Sequence, residues 1–352
     1  MTEPTADPTV GELSEGAILR RILARTGTAE VTLVGPGDDA AVLAASGPIV
    51  ATTDTLVHGP DFRLAWSSGF DLGWKSAAVN LADVAAMGAR PTALLVALAL
   101  PDSTRISFVE ALAEGLRAAC DQLAPGCAVV GGDLTVSQTL TIAVTALGTL
   151  STAPVLRSGA QPGDIVAIAG ELGLAGRGLA VLFDQATDGA GHPIAYDDAL
   201  ARGLSASERD AVRVQLRPSP PISAGVLAAD VGAHAMMDVS DGLVLDATRM
   251  ADASKVTIDF DSPRVAPAGG ADGLSDLRTW GASGGLPPDR TRSRTRRAFR
   301  AGRWRRLRWS RWVGPLPRLG CADGLSGPDA AMPSSPTTSS YRHSPWCARS
   351  PG

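Results

Sequence analysis

The composition of this chain breaks near residue 263, and the break limits how much of it can fold as one body. From Pro263 to Gly352 there are 16 Arg and 5 Asp but no Lys, Glu or Ile. Five of the seven tryptophans (Trp280, Trp304, Trp309, Trp312 and Trp346) fall in the same stretch. Its formal charge of +11 leaves −15 for residues 1–262, against −4 for all 352. Arg with Trp, Pro, Gly and Ser, but without Lys, Glu or Ile, is the look of GC-rich coding sequence read in the wrong frame, here starting between Phe260 and Leu286. The apolar residues of 263–352 follow neither helix nor strand periodicity, so this tail is expected to be disordered. Arg interleaved with Trp also grips phosphates and stacks on bases, which keeps nucleic-acid binding by the tail as an alternative.

The body is long enough for two domains with cores of their own. Apolar runs such as Pro91–Leu100 fall well short of the ~20 residues a spanning helix needs. The N-terminus has no basic region, so no secretory signal is expected. Cys120, Cys127, Cys321 and Cys347 form no CxxC and have no His at zinc spacing, and the first two read as buried free thiols. A reducing cytoplasm fits. No membrane partner is expected.

Along the body, helical periodicity covers Leu13–Ile22, Asp71–Met87, Ser107–Leu123, Leu172–Phe183, Ile222–Val231 and Leu243–Ala253. Strand-type runs are Val31–Val34, Ala41–Leu43, Ile49–Thr53, Thr92–Leu100, Ala128–Val130, Thr139–Leu150, Ile165–Ala169, Ala235–Asp238 and Val256–Phe260. A polar stretch through Gly203 and the break RPSPP read as loop. The pattern restarts around Ser151–Pro162. This places one domain at 1–150, a partial second domain at 151–262 and the aberrant tail at 263–352. Alternating strands and helices argue for an α/β or α+β layer architecture.

Acidic residues recur at the ends of apolar strands or in the turn or helix beside them. They are Asp38 and Asp39 in GPGDDAAVL, Asp54 in TTDTLV, Asp83 in VNLADVAAMGA, Asp133 in VVGGDLT, and Asp238 and Asp241 in MDVSDG. Magnesium takes hard oxygen ligands, usually a few carboxylates together with substrate phosphates, so convergence of these segments would make a magnesium–nucleotide site. Each Asp alone is as well explained as a turn former or helix cap. Lys75 stands four residues after Asp71 and reads as an exposed i,i+4 pair. The glycines of GELGLAGRG match neither GxGxxG nor the P-loop pattern and are a weak phosphate-loop signal.

Taken in order, GPGDDAAVL, TTDTLV, KSAAVNLADVAAMGARP, VVGGDLT, VLRSGAQPGD, LRPSPP and MDVSDGL resemble thiamine-monophosphate kinase, of the aminoimidazole-ribonucleotide-synthase-like superfamily, over about residues 10–260. The resemblance implies a two-domain fold of that superfamily, a homodimer through the first domain, Mg2+ and ATP, and transfer of a phosphoryl group to thiamine monophosphate. It implies metal ligation by Asp39, Thr52, Thr53, Asp54, Asp83, Asp133, Asp238 and Asp241, with Asp83, Asp133 and Asp238 at the catalytic centre. Gly132, Asp133, Arg157 and Ser240 would contact the nucleotide. Asp61 stands where the family usually has a substrate-linked His, which makes it a substrate candidate. After Phe260 the family continues with a GGED-like segment that this chain lacks, so the second domain reads as incomplete and activity as impaired. The frame-change reading fails if neither alternative frame of the DNA encodes such a segment. Rival readings are another ATP-using enzyme of the superfamily, and an inactive scaffold or nucleic-acid binder acting through the basic tail.

Overall fold

The computed structural model describes residues 7–37, 40–260 and 306–309. The first half is built on a four-stranded sheet ordered β3–β6–β4–β5, with β3 Ile49–Val57, β4 Arg90–Leu100, β5 Ala128–Val136 and β6 Thr141–Thr149. β6 runs antiparallel to both β3 and β4, while β4 and β5 run parallel. The parallel pair needs a crossover, and helix α3 (Ile106–Leu123) supplies it. Helix α2 (Gly69–Ala86) joins β3 to β4.

Both helices cover one face of the sheet, and period-two alternation decides which residues meet them. Asp54 pairs with Val144, Val144 with Val96, and Val96 with Gly132, making one row across four strands. Val144 and Val96 are buried, so that row faces the helices. The next row, Thr55–Ala143–Ala97–Asp133, faces the other way. A short ribbon of β1 (Thr32–Val34) with β2 (Val42–Leu43), preceded by helix α1 (Glu15–Thr26), completes this half. Val31 and Leu43 pack with Ala93 and Val130 at one end of the open face.

Ser68 and Asp71 start α2 with a reciprocal capping box: Ser68 Oγ accepts from Asp71 N–H, and the carboxylate accepts from Ser68 N–H at 2.9 Å. The α2 and α3 backbones touch. A Cβ at Gly73 would lie 2.0 Å from Leu112 O, and one at Gly115 would lie 2.1 Å from Phe70 O. Leu72, Leu81, Leu112 and Leu116 fill the core around that crossing.

The second half contains β7 (Ile165–Val166), α4 (Leu174–Gln185), α5 (Asp198–Gly203), α6 (Ala206–Leu216), α7 (Ile222–Asp230), α8 (Leu243–Ser254) and β8 (Thr257–Ile258). Arg306–Trp309 forms β9, whose backbone pairs in parallel with β7 on one side and β8 on the other. That strand lies within the stretch expected to be disordered; the rest of 261–352 falls outside the described residues.

The reading changes in three places. α5 forms where a polar loop through Gly203 is expected, and α6 follows in a stretch to which no element is assigned from sequence, although Ser205-x-x-Glu208 is a helix-start pattern. A Ser205–Glu208 capping box starts it, and Ala211, Val212 and Leu216 bury one side. Ala235–Asp238 is not a strand, since among the described residues none pairs with it. β5 runs on through Gly131-Gly132-Asp133, where a turn is expected from sequence. A Cβ at Gly132 would lie 1.8 Å from Val96 O, so glycine there lets the strands close up rather than bend.

Candidate active site

The acidic residues meet where the C-terminal half of α2 crosses edge strand β3. Thr52 and Asp54 alternate onto the helix face, and Asp83 projects from α2 to meet them. Thr52 Oγ1 donates to Asp83 Oδ2 at 3.1 Å. Asn80, one turn before Asp83, accepts the Asp54 N–H on Oδ1 (3.1 Å) and donates its amide to Ser76 O (2.9 Å). Asn80 is thereby a buried strut fixing strand to helix. Sequence reasoning passes over it, although its place three residues before Asp83 in VNLAD puts both on one side of the helix.

The loop before α8 brings Asp238, Ser240 and Asp241 to the same region. Burial pushes the Asp83 carboxyl up to about 6, reinforced by the charges of Asp238 and Asp54 and opposed by the Thr52 hydrogen bond and the Arg157 guanidinium. Asp238 is raised by burial too, against the Ser240 hydrogen bond and Arg157. Burial raises Asp54 as well. Carboxylates from both halves of the chain therefore share one field, with Arg157 as a cation facing Asp83 and Asp238.

The Asp238–Asp241 loop has its own anchor. Asp246, 1% exposed, accepts from the N–H groups of Asp241 (3.0 Å) and Gly242 (3.1 Å). Arg249 bridges Asp246 Oδ1 at 2.8 Å and Asp241 Oδ2 at 2.6 Å. Neither residue stands out in sequence, though Asp246 follows five residues after Asp241 in DGLVLD. Asp246→Ala is expected to free this turn and lower stability by about 2–3 kcal/mol, seen as an earlier thermal midpoint with weaker nucleotide binding.

Other candidates lie elsewhere. Asp133 sits on the open face of β5, with β4 and β6 between it and β3. At ~4.8 Å per strand it stands about 14 Å across the sheet from β3, which carries Asp54. Alternation sends it away from Asp83, so within one chain it does not join the cluster. Thr53 also faces the open side; its hydroxyl donates to Val144 O at 3.0 Å and accepts from Thr145 Oγ1 at 3.2 Å. Asp38 and Asp39 lie outside the described residues. Asp61 closes the turn after β3 by accepting the Val57 N–H at 2.7 Å, and its charge faces Lys75.

Lys75 is buried, not an exposed partner of Asp71. Burial lowers its amine to about 8, against the charges of Asp61 and Asp71. With the Gln215 amide oriented to donate to Ala175 O, its oxygen accepts from Lys75 Nζ at 3.1 Å. Of the glycines of GELGLAGRG, Gly178 serves packing: a Cβ there would lie 2.0 Å from Ala211 O, where α4 crosses α6.

Hard oxygen donors in a field of excess negative charge fit magnesium. Among the described residues no three acidic or ligating side chains stand close enough to hold an ion unaided. Magnesium characteristically uses one or two carboxylates and completes its shell with water and substrate phosphates, so Thr52, Asp54, Asp83 and Asp238 match that chemistry.

Residues 37–150 match the domain family described as AIR synthase related protein, N-terminal domain, and residues 161–283 match its C-terminal domain. The second match reaches past residue 262; of the tail's 16 arginines only Arg264 and Arg278 precede its end. The chain is 39% identical over 264 residues to thiamine-monophosphate kinase of Mycobacterium tuberculosis, covering 74% of this chain and 73% of that one. It is 37% identical over 265 residues to the enzyme of that name from Corynebacterium glutamicum, covering 74% of each. The solved thiamine-monophosphate kinase from Stenotrophomonas maltophilia superposes with a TM-score of 0.58 at 36% identity, over 69% of this chain and 73% of that one. The complex described as AaThiL with AMPPCP and TMP superposes with a TM-score of 0.52 at 30% identity, over 72% and 74%. The chain belongs to the thiamine-monophosphate kinase family.

Proposed function

We propose that the chain transfers the γ-phosphoryl group of ATP onto the phosphate of thiamine monophosphate, giving thiamine diphosphate, by direct in-line attack. The carrying observation is that Asp83 of the first half and Asp238 of the second lie in one electrostatic cluster with Arg157 beside them. Relatives of this name at 37–39% identity, and one solved with AMPPCP and TMP, support the substrates.

Phosphoryl transfer asks for positioning and charge neutralisation more than for covalent help. Magnesium, when bound, would offset the charge of the two phosphate groups brought together. Thr52, Asp54, Asp83 and Asp238 would hold it, with Asp241 reached through the loop that Asp246 and Arg249 fix. Arg157 offers a permanent cation to the nucleotide phosphates, and Ser240 steadies Asp238. The attacking phosphate oxygen is already anionic, so no general base is assigned. Among the described residues no helix is long and apolar enough to cross a membrane, and a cytoplasmic enzyme is the reading that fits. The direct test is formation of thiamine diphosphate from ATP, Mg2+ and thiamine monophosphate. Its absence, in this chain and in a version carrying a family-like C-terminus, would overturn the activity. We expect this exact chain to be the slower of the two.

A homodimer through the open sheet face completes the reading. Ile49 is 59% and Leu95 38% exposed there, beside Ala51, Thr53 and Ala97. An exposed apolar face of this kind invites a partner. Leu95→Arg is expected to shift the mass in solution from dimer to monomer, as read by light scattering; an unchanged mass would place the interface elsewhere.

A further inference from the structure

Helix α6 carries Arg209 and Arg213, and Arg217 caps its end, so at intervals of four all three rise from one side. They line a cleft of about 490 Å³ between α6 and the segment leading into α2. Leu64, Ala65, Trp66 and Leu216 form its apolar lining, and Tyr196 borders it. Trp66 is 6% exposed, commits its indole N–H to Ala186 O at 2.9 Å and packs its ring against that of Phe183, centroids 4.9 Å apart, so it closes the floor of the cleft and has no donor to offer.

The three cations are not equally spent. Arg217 pairs with Asp71, and Arg213 with Asp210 at 2.6 Å. Arg209 bonds only to the main-chain carbonyls of Leu204 and Ala201, and among the described residues no carboxylate forms an ion pair with it. The Tyr196 hydroxyl, close enough to feel the Arg209 charge, makes no hydrogen bond among the described residues. An uncompensated guanidinium and an open phenol, with the Tyr196 ring and the half-exposed Leu64 beside them, suit a flat body with an anionic head. The cleft is also remote from the acidic cluster. Asp71 lies in the first turn of α2 and Asp83 stands twelve residues further on, about 18 Å along the axis.

We propose that this cleft binds a small organic anion, an aromatic or heteroaromatic carboxylate or phosphate monoester, at a site separate from phosphoryl transfer. Calorimetric titration of the full chain with phenyl phosphate and with benzoate tests it, with inorganic phosphate and benzyl alcohol as probes of head and body alone. At least one of the first two is expected to bind about tenfold more tightly than either control, and Arg209→Gln to weaken it about tenfold. Tyr196→Phe is expected to weaken binding by a smaller factor with an unchanged melting curve, and it decides the question alone if Arg209→Gln melts early. Excess thiamine monophosphate is expected to leave the titration unaltered. Inorganic phosphate binding as well as phenyl phosphate, indifference to the substitutions, or displacement by thiamine monophosphate would each overturn the proposal. Absence of kinase turnover would not, since binding is read directly.

Discussion

Replacing Asp83 by Asn is expected to cut thiamine diphosphate formation about a thousandfold while leaving the metal-free protein at least as stable as before. Asn keeps an oxygen that can accept from Thr52 Oγ1, so the strand–helix contact survives the exchange. What disappears is a negative charge that burial, Asp238 and Asp54 make costly when no cation is present. The sign follows from linkage. The folded carboxyl titrates at about 6 against an ordinary value of 3.8, so the folded state holds the proton more tightly and the unmodified protein loses stability as pH rises between those values. Above that window the charged group costs on the order of 1–2 kcal/mol once partial exposure is discounted. Metal-free Asp83→Asn should therefore melt later than the parent at pH 8, with the gap closing below about pH 4. Early melting of the variant would mean that Asp83 is structural. Retained turnover would remove it from the reaction.

The second large effect is expected far from the chemistry. Gly73→Val should destabilise the first half by about 3 kcal/mol or more, because even its Cβ would fall 2.0 Å from Leu112 O. The clash is with main chain, which no rotamer relieves. For a body of this size that loss corresponds to a drop of roughly 10 °C in the melting midpoint. Thr52, Asp54 and Asp83 should lose their mutual placement with it, since α2 is what carries Asp83 to β3. A midpoint within about 2 °C of the parent would show that the α2–α3 crossing has slack that the packing does not reveal.

The two substitutions separate what the chain discloses directly from what only folding discloses. Helices α2 and α3 are legible because Ala78, Leu81 and Ala82 in the first and Leu112 and Leu116 in the second recur at helical spacing. The convergence of Thr52, Asp54, Asp83 and Asp238 is legible only through the ordered motifs, since a spacing in sequence says nothing about distance in space. Asp133 illustrates the converse. Its Gly-Gly-Asp reads like a phosphate turn, yet the missing side chain of Gly132 admits the oxygen of Val96 and continues the strand, and pleat alternation then sends Asp133 to the open face. Lys75 looks like a surface ion pair because Asp71 is four residues away. The packing of α4 and α6 over it cannot be seen in local sequence, whereas the capping role of Asp71 is written in Ser68-x-x-Asp71 and passed over. Helix α6 is announced in sequence only by the Ser205-x-x-Glu208 start pattern, and two of its charges, with Arg217 at its end, make the arginine row of the cleft. Asn80, Asp246 and Arg249 hold ligands rather than resembling them, and motif reading does not select for that work.

A double-mutant cycle on nucleotide affinity probes the shared site most directly. Mg2+–AMPPCP would be titrated into the parent, Asp83→Asn, Asp238→Asn and the double variant. If carboxylates from the two halves serve one magnesium–nucleotide complex, each single change should weaken binding about tenfold or more, and the double change little further. Strictly additive losses, or full affinity in either single variant, would show that Asp83 and Asp238 serve different sites.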